Sequence, residues 1–171
     1  GVLGVLVAML IFARMNKIPL FSLTDIVCTV APFGIMLGRI ANFINGEHWG
    51  RVTDVPWAIA FPHSGDLLPR HPSQLYECAM EGVLLLTILI IVQRRFNGLA
   101  RPGLQSGVFL IGYACARMAG EIFREPEILM QTLPFGTTWG QWLSLPMLLG
   151  GAYLVYRALQ QAPLSKSPKK A

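Results

Sequence analysis

The chain has 171 residues, of which 53% are hydrophobic and 13% charged, about half the charged share of an average soluble domain. With a mean hydropathy of +0.51, this composition excludes a disordered chain and argues against a water-soluble single domain. The net charge of +5 does not indicate a nucleic-acid partner, because the basic residues are spaced between apolar runs rather than gathered on one polar surface.

Taken in order, five stretches are apolar enough to cross or nearly cross a bilayer, which takes about 20 helical residues. They are residues 1–13, 26–44, 76–93, 106–123 and 141–156. The first is too short alone, and the chain opens in mid-run at Gly1 without a methionine, so it reads as a piece of a longer protein. Pro32, Gly34, Gly38, Gly112, Pro146, Gly150 and Gly151 lie inside these runs, where membrane helices tolerate them and use the small ones for close packing.

Lys and Arg set the orientation. Arg14 and Lys17 follow the first run, Arg94, Arg95 and Arg101 the third, and Arg157, Lys166, Lys169 and Lys170 the fifth. These alternate connections are assigned to the cytoplasm by the positive-inside rule. Arg51, Arg70 and Arg124, together with Glu47, Asp54, Asp66, Glu77, Glu125 and Glu127, fall on the opposite, outer side. The expected fold is an all-α polytopic transmembrane helix bundle over residues 1–160, ending in a basic cytoplasmic tail, 161–171. Residues 46–75 form an outer-face loop subdomain. In that loop Trp49, Pro56, Trp57, Phe61 and Pro62 read as an interfacial segment, with 55–61 a short strand or an amphipathic piece. Trp139 and Trp142 anchor the last helix at the same level.

Two positive charges fall inside apolar runs, Arg39 and Arg117. Insertion of Arg at a helix centre costs about 2.5 to 3.5 kcal/mol, so such residues mark function by default. Helical spacing places Arg39, Asn42 and Gly46 on one face, Arg117, Glu121 and Arg124 on another, and Gln74, Glu77, Cys78 and Glu81 on a third. All three stripes lie toward the outer side. Two guanidiniums without matching free carboxylates point to an anion, and the anion at that depth is a phospholipid phosphate. Plainer readings exist for each group. Arg117 and Glu121 could form an intrahelical ion pair, Asn42 and Asn45 could be interhelical hydrogen-bond glue, and His71 beside Pro72 could be an ordinary interfacial residue. Cys28, Cys78 and Cys115 read as small apolar fillers, and His48, His63 and His71 lack metal-ligand company, so neither a metal nor another cofactor is expected.

The run from Arg39 to Arg51, Arg-Ile-Ala-Asn-Phe-Ile-Asn-Gly-Glu-His-Trp-Gly-Arg, closely resembles the signature of the prolipoprotein diacylglyceryl transferases. Arg70-His71-Pro72-Ser73-Gln74-Leu75-Tyr76-Glu77, and Arg117 through Glu121 to Arg124-Glu125-Pro126, follow in the family's order. The resemblance covers the chain from Gly1 to about Tyr156. It implies a bacterial inner-membrane, multi-pass enzyme with its active site toward the periplasm. The implied reaction moves the diacylglyceryl group of phosphatidylglycerol onto the thiol of a lipobox cysteine in a prolipoprotein and releases glycerol phosphate. Carried over by position, Arg39, Arg117 and Glu121 are the expected catalytic residues. Arg39, Asn42, Asn45, Gly46, Glu47, Gly50, His71, Gln74, Tyr76, Glu77 and Arg117 are the expected substrate-binding set, with Glu77, Gln74 and Tyr76 shaping the headgroup site or holding the arginines. The family's His-Gly-Gly histidine, proposed as a base, precedes this chain, which leaves His71 and Glu121 as candidates within it. The rival readings are a non-catalytic phospholipid-binding or transport membrane protein, and a structural membrane subunit.

Overall fold

The structure, a computed structural model, describes residues 1–125 and 139–162. Pro126 and Glu127, and the tail from residue 163 onward with its three lysines, lie outside the described residues. The chain is predominantly helical: α1 (Val2–Met15), α2 (Leu20–Asn45), α3 (Ser73–Phe96), α4 (Leu104–Gly120) and α5 (Trp139–Gln160). Each helix overlaps one expected apolar run. By length and hydropathy together, α2 and α3 are the two described helices fit to cross a bilayer. Their 26 and 24 residues extend about 39 and 36 Å at 1.5 Å per residue, beyond a hydrocarbon core of about 30 Å.

Local chemistry sets the helix ends. Pro19 and Pro72 stand at the N-caps of α2 and α3, where a missing N–H costs nothing. Gly46 closes α2 in the left-handed region at φ 65°. Its N–H donates to Phe43 O, and that of Glu47 donates to Asn42 O, so the last carbonyls of the helix are satisfied. Within α3, Cys78–Leu84 adopts a π-helical turn, a distortion that recurs at functional sites. It lies against α2, where a Cβ on Gly82 would stand 2.7 Å from Met36 Cβ.

The helices run up and down. α4 and α5 cross in close contact at Gly107 and Gly151; a Cβ on either would stand 2.8 Å from the other's carbonyl oxygen. Such small-residue contact is the usual device of membrane helix pairs. Burial is inverted relative to a protein in water. Among the fully enclosed side chains are Asp25, Gln74, Glu77, Glu81 and Gln105, whereas Val30 on α2, Leu84 on α3 and Leu149 on α5 are 61%, 55% and 70% exposed. Apolar faces turned outward over a polar interior suit a lipid surround.

The expectation of an all-α chain needs correction. Between α2 and α3, β1 (Ile59–Ala60) pairs antiparallel with β2 (Pro69–Arg70), with Ile59 opposite Arg70. Only two residues of the 55–61 segment are strand. The turn between the strands is held by Asp66, which accepts from Leu68 N and from Arg70 Nη2. The Arg117–Glu121–Arg124 stripe also breaks, because α4 ends at Gly120. Arg124 instead sits in the following turn and bridges to Gly50.

Candidate active site

Arg39 lies in the last two turns of α2 and Arg117 in the last turn of α4. Between them α3 contributes Glu77 and Glu81, 1% and 0% exposed. Glu81 Oε2 accepts from Arg39 Nη2 at 2.9 Å and from Arg39 Nε at 3.1 Å. Glu77 Oε2 stands 3.0 Å from Arg39 Nη1, and Glu77 Oε1 accepts from Arg117 Nη1 at 3.3 Å. Glu81 Oε1 is 3.6 Å from Arg117 Nη1, and Glu121 accepts from Arg117 Nη2. Arg124 Nη1 reaches Glu77 Oε1 at 4.0 Å.

The three stripes therefore converge, but the idea of arginines lacking carboxylates does not survive. Glu77, Glu81 and Glu121 neutralise Arg39 and Arg117. In a medium of low dielectric an unpaired guanidinium is too costly to keep, and α3 supplies the partners. Glu77 Oε2 and Glu81 Oε1 are buried without a hydrogen bond of good geometry and face Arg39 Nη1 and Arg117 Nη1, respectively, as ion-pair contacts.

The remaining candidates build a frame around the cluster. Asn45 Nδ2 donates to Glu47 Oε1 at 3.3 Å, and the Asn42 amide, turned with its nitrogen toward Glu47, reaches the same oxygen at 3.1 Å. Gln74 Nε2 donates to Glu47 O and Ser73 Oγ to His48 O, tying the end of α2 to the start of α3. Gly50 threads between the segments at His71 and Phe123. Its N–H donates to His71 O, Arg51 N donates to Phe123 O, and a Cβ at Gly50 would stand 2.6 Å from Phe123 O and 2.7 Å from His71 Cβ. Only glycine fits there.

His71 and Tyr76 belong to a separate aromatic cluster. Tyr76 Oη accepts from Trp57 Nε1 at 2.6 Å and lies 3.2 Å from His71 Nδ1, with the Phe123 ring against both. The His71 ring has Tyr76 and Phe123 as neighbours, and its backbone N–H donates to Arg51 O. Below this cluster Arg70 joins Asp66, Glu125 and Gly50 O. Its hydrogen bond is the main cause that holds the Asp66 carboxyl down at about 2.

Two groups escaped the sequence reading. Glu81, seen only as a member of a stripe, touches both arginines. Asp25, at the far end of the bundle and 0% exposed, accepts from Gly103 N, Ser106 N and Ser106 Oγ at 2.7, 2.8 and 2.6 Å. It caps α4 from another helix, as Gly103 at φ 96° has no side chain to do so. The signal available for Asp25 was an acid immediately before an apolar run. An apolar groove of about 380 Å³ runs between α3 and α4, and its lining residues Met80 and Ala116 each adjoin a member of the charged cluster.

The family model for prolipoprotein diacylglyceryl transferase matches residues 1–157. The chain belongs to this family. A relative from Rhizobium leguminosarum bv. trifolii, named phosphatidylglycerol–prolipoprotein diacylglyceryl transferase, is 52% identical over 96% of this chain and 58% of its own length. Relatives of the same name from Methylocella silvestris and Idiomarina loihiensis are 53% and 47% identical, over 91% and 95% of this chain and 56% and 60% of their own lengths. The chain thus spans somewhat under two thirds of the relatives it matches. Within the family match lie all the arginines and glutamates of the buried cluster and the Gly50 crossing.

Proposed function

We propose that the cluster of Arg39, Arg117, Glu77, Glu81 and Glu121 is the reaction centre of a membrane transferase that moves diacylglyceryl from phosphatidylglycerol to the lipobox thiol of a prolipoprotein. The observation that carries this reading is the pairing of two intramembrane guanidiniums through shared buried carboxylates in a chain whose relatives bear that substrate in their names. The helices lie in the bacterial inner membrane, with α2 and α3 crossing it, the cluster toward the periplasm and the C-terminus in the cytoplasm. The basic connections support that orientation.

In the reaction the substrate thiolate attacks the terminal diacylglyceryl carbon. A carbon–sulfur bond forms, the carbon–oxygen bond to phosphate breaks, and glycerol phosphate leaves with the electron pair. Negative charge grows on the departing phosphate, where preorganised guanidiniums lower the barrier most. Arg39 and Arg117 are that clamp. Glu77 and Glu81 hold the arginines at a fixed spacing. The acyl chains lie along the apolar groove between α3 and α4. The thiol, with an ordinary pKa near 8.5, gives its proton to a base. Within this chain the candidates are Glu121, beside Arg117, and His71, whose Nδ1 lies 3.2 Å from Tyr76 Oη.

The test supplies the full-length parent, phosphatidylglycerol and a lipobox peptide, and reads the peptide mass for added diacylglycerol. Arg39→Lys and Arg117→Lys keep the charge but lose the bidentate fork. Each lowers kcat by about 10² to 10³-fold, the scale of losing one oriented charge donor, while the protein remains folded. An unmodified thiol with folded wild-type protein refutes the reading. A loss of stability without loss of turnover in the lysine variants makes the arginines structural.

A further inference from the structure

An incoming phosphate finds both arginines already paired, so it must take the place of a carboxylate. The three glutamates are not equivalent in this respect. Glu77 and Glu81 are buried in the middle of the bundle, and each approaches both Arg39 and Arg117. Glu121 is 12% exposed, follows the last turn of α4, and has Arg117 as its one ionic partner among the described residues. Its carboxylate occupies space that Gly140 of α5 leaves open, where a Cβ would stand 2.6 Å from Oε1 and 2.9 Å from Cδ.

We propose that Glu121 is an exchangeable counter-ion of Arg117: an oxygen of a phosphate ester replaces the Glu121 carboxylate on Arg117 Nη2, while Glu77 and Glu81 keep the two arginines in place. A guanidinium fork accepts carboxylate and phosphate in the same geometry, so the exchange conserves charge-assisted hydrogen bonds. Displacing Glu121 uncovers one partly exposed carboxylate, whereas displacing Glu77 or Glu81 strands a buried charge. The exchange also turns Glu121 from an engaged ion-pair member into a free carboxylate at the moment the anion arrives. This proposal rests on the reading that a phospholipid headgroup binds at the cluster. Phosphodiester headgroup and leaving glycerol phosphate share the recognising chemistry, so both serve as probes.

The experiment places the full-length parent in phosphatidylcholine nanodiscs and measures binding of fluorescent phosphatidylglycerol and, separately, of glycerol 3-phosphate. Wild type is compared with Glu121→Gln, Gly140→Ala and Glu81→Gln. Removing the competing carboxylate, or pushing it off Arg117 with a methyl at 140, tightens binding by about fivefold, the scale of a partly exposed ion pair. Glu81→Gln weakens it. Tightening for the lipid assigns the exchange to the headgroup, and tightening for glycerol phosphate alone assigns it to the product. Affinities in Glu121→Gln and Gly140→Ala no better than wild type for either anion overturn the proposal. Wild type that binds glycerol phosphate but shows no preference for phosphatidylglycerol overturns the functional reading instead, and the soluble anion still reports the exchange.

Discussion

At the scale of single residues, the positions that matter most are those where no other side chain has the right size or charge. Gly50 is one. Its neighbours at 2.6 to 2.7 Å are two carbonyl oxygens and a Cβ, none of which is the flexible end of a side chain. Gly50→Ala therefore forces apart the segments around His71 and Phe123, costing about 1 to 3 kcal/mol as overpacking does. Thermal unfolding in detergent reads that cost, and an unchanged midpoint would show that the crossing can yield. Asp25 is the other. It receives three hydrogen bonds from the start of α4, and Asp25→Ala orphans two buried backbone N–H groups, a loss of about 2 to 4 kcal/mol. Asp25→Asn keeps one acceptor oxygen and loses less, a ranking that the same unfolding assay checks. The Asp25 substitutions lie at the opposite end of the bundle from the arginine cluster.

At the scale of elements, the site is made by helix ends meeting a helix interior. α2 and α4 bring their C-terminal turns, and α3 passes between them with its π-helical turn at Cys78–Leu84. Glu77 and Glu81 are four residues apart, so an ordinary helix already puts them on one side. The π turn and the close Gly82–Met36 contact settle how that side meets α2. The β1–β2 element caps the same end, and its turn depends on the Asp66–Arg70 pair. Asp66 titrates at about 2 in the fold against an ordinary 3.8, so the folded state favours the carboxylate. Its contribution is complete above about pH 4 and disappears as the pH falls through about 2. The difference in unfolding midpoint between wild type and Asp66→Asn should follow that course, with a constant gap at neutral pH closing on acidification. A gap that stays open at pH 2 would remove the ion pair as its cause.

At the scale of the whole molecule, the polar interior and apolar exterior set how the chain sits in its surroundings. Charged side chains gather near both ends of the bundle, with Asp25 at one and the arginine cluster at the other, while the outward faces stay apolar. The proposed orientation puts the β1–β2 turn outside the cell membrane. Leu67, 64% exposed in that turn, offers a labelling position that leaves Asp66 and Arg70 intact. In a cysteine-free background of the full-length parent, Leu67→Cys should react with an impermeant thiol reagent in intact spheroplasts. Reaction only after lysis would reverse the topology.

Much of this was legible from the residues in order. The apolar runs predict five helices because helix formation within an apolar segment is a local matter, and Arg39 and Arg117 stand out because an isolated charge in such a run has no local reason to be there. The motifs around Gly50 and Gln74 carry the family because they are contiguous. What only the tertiary structure decided is pairing across helices. That Glu81 serves both arginines, that Asp25 caps a helix roughly eighty residues away, that Gly140 makes room for Glu121, and that residues 59–70 close into a sheet all depend on which helix faces meet. Helical periodicity reports the direction a side chain takes from its own axis. It carries no information about the neighbour waiting there, and in a low-dielectric interior that neighbour determines whether a charge is a free binding group or half of a pair.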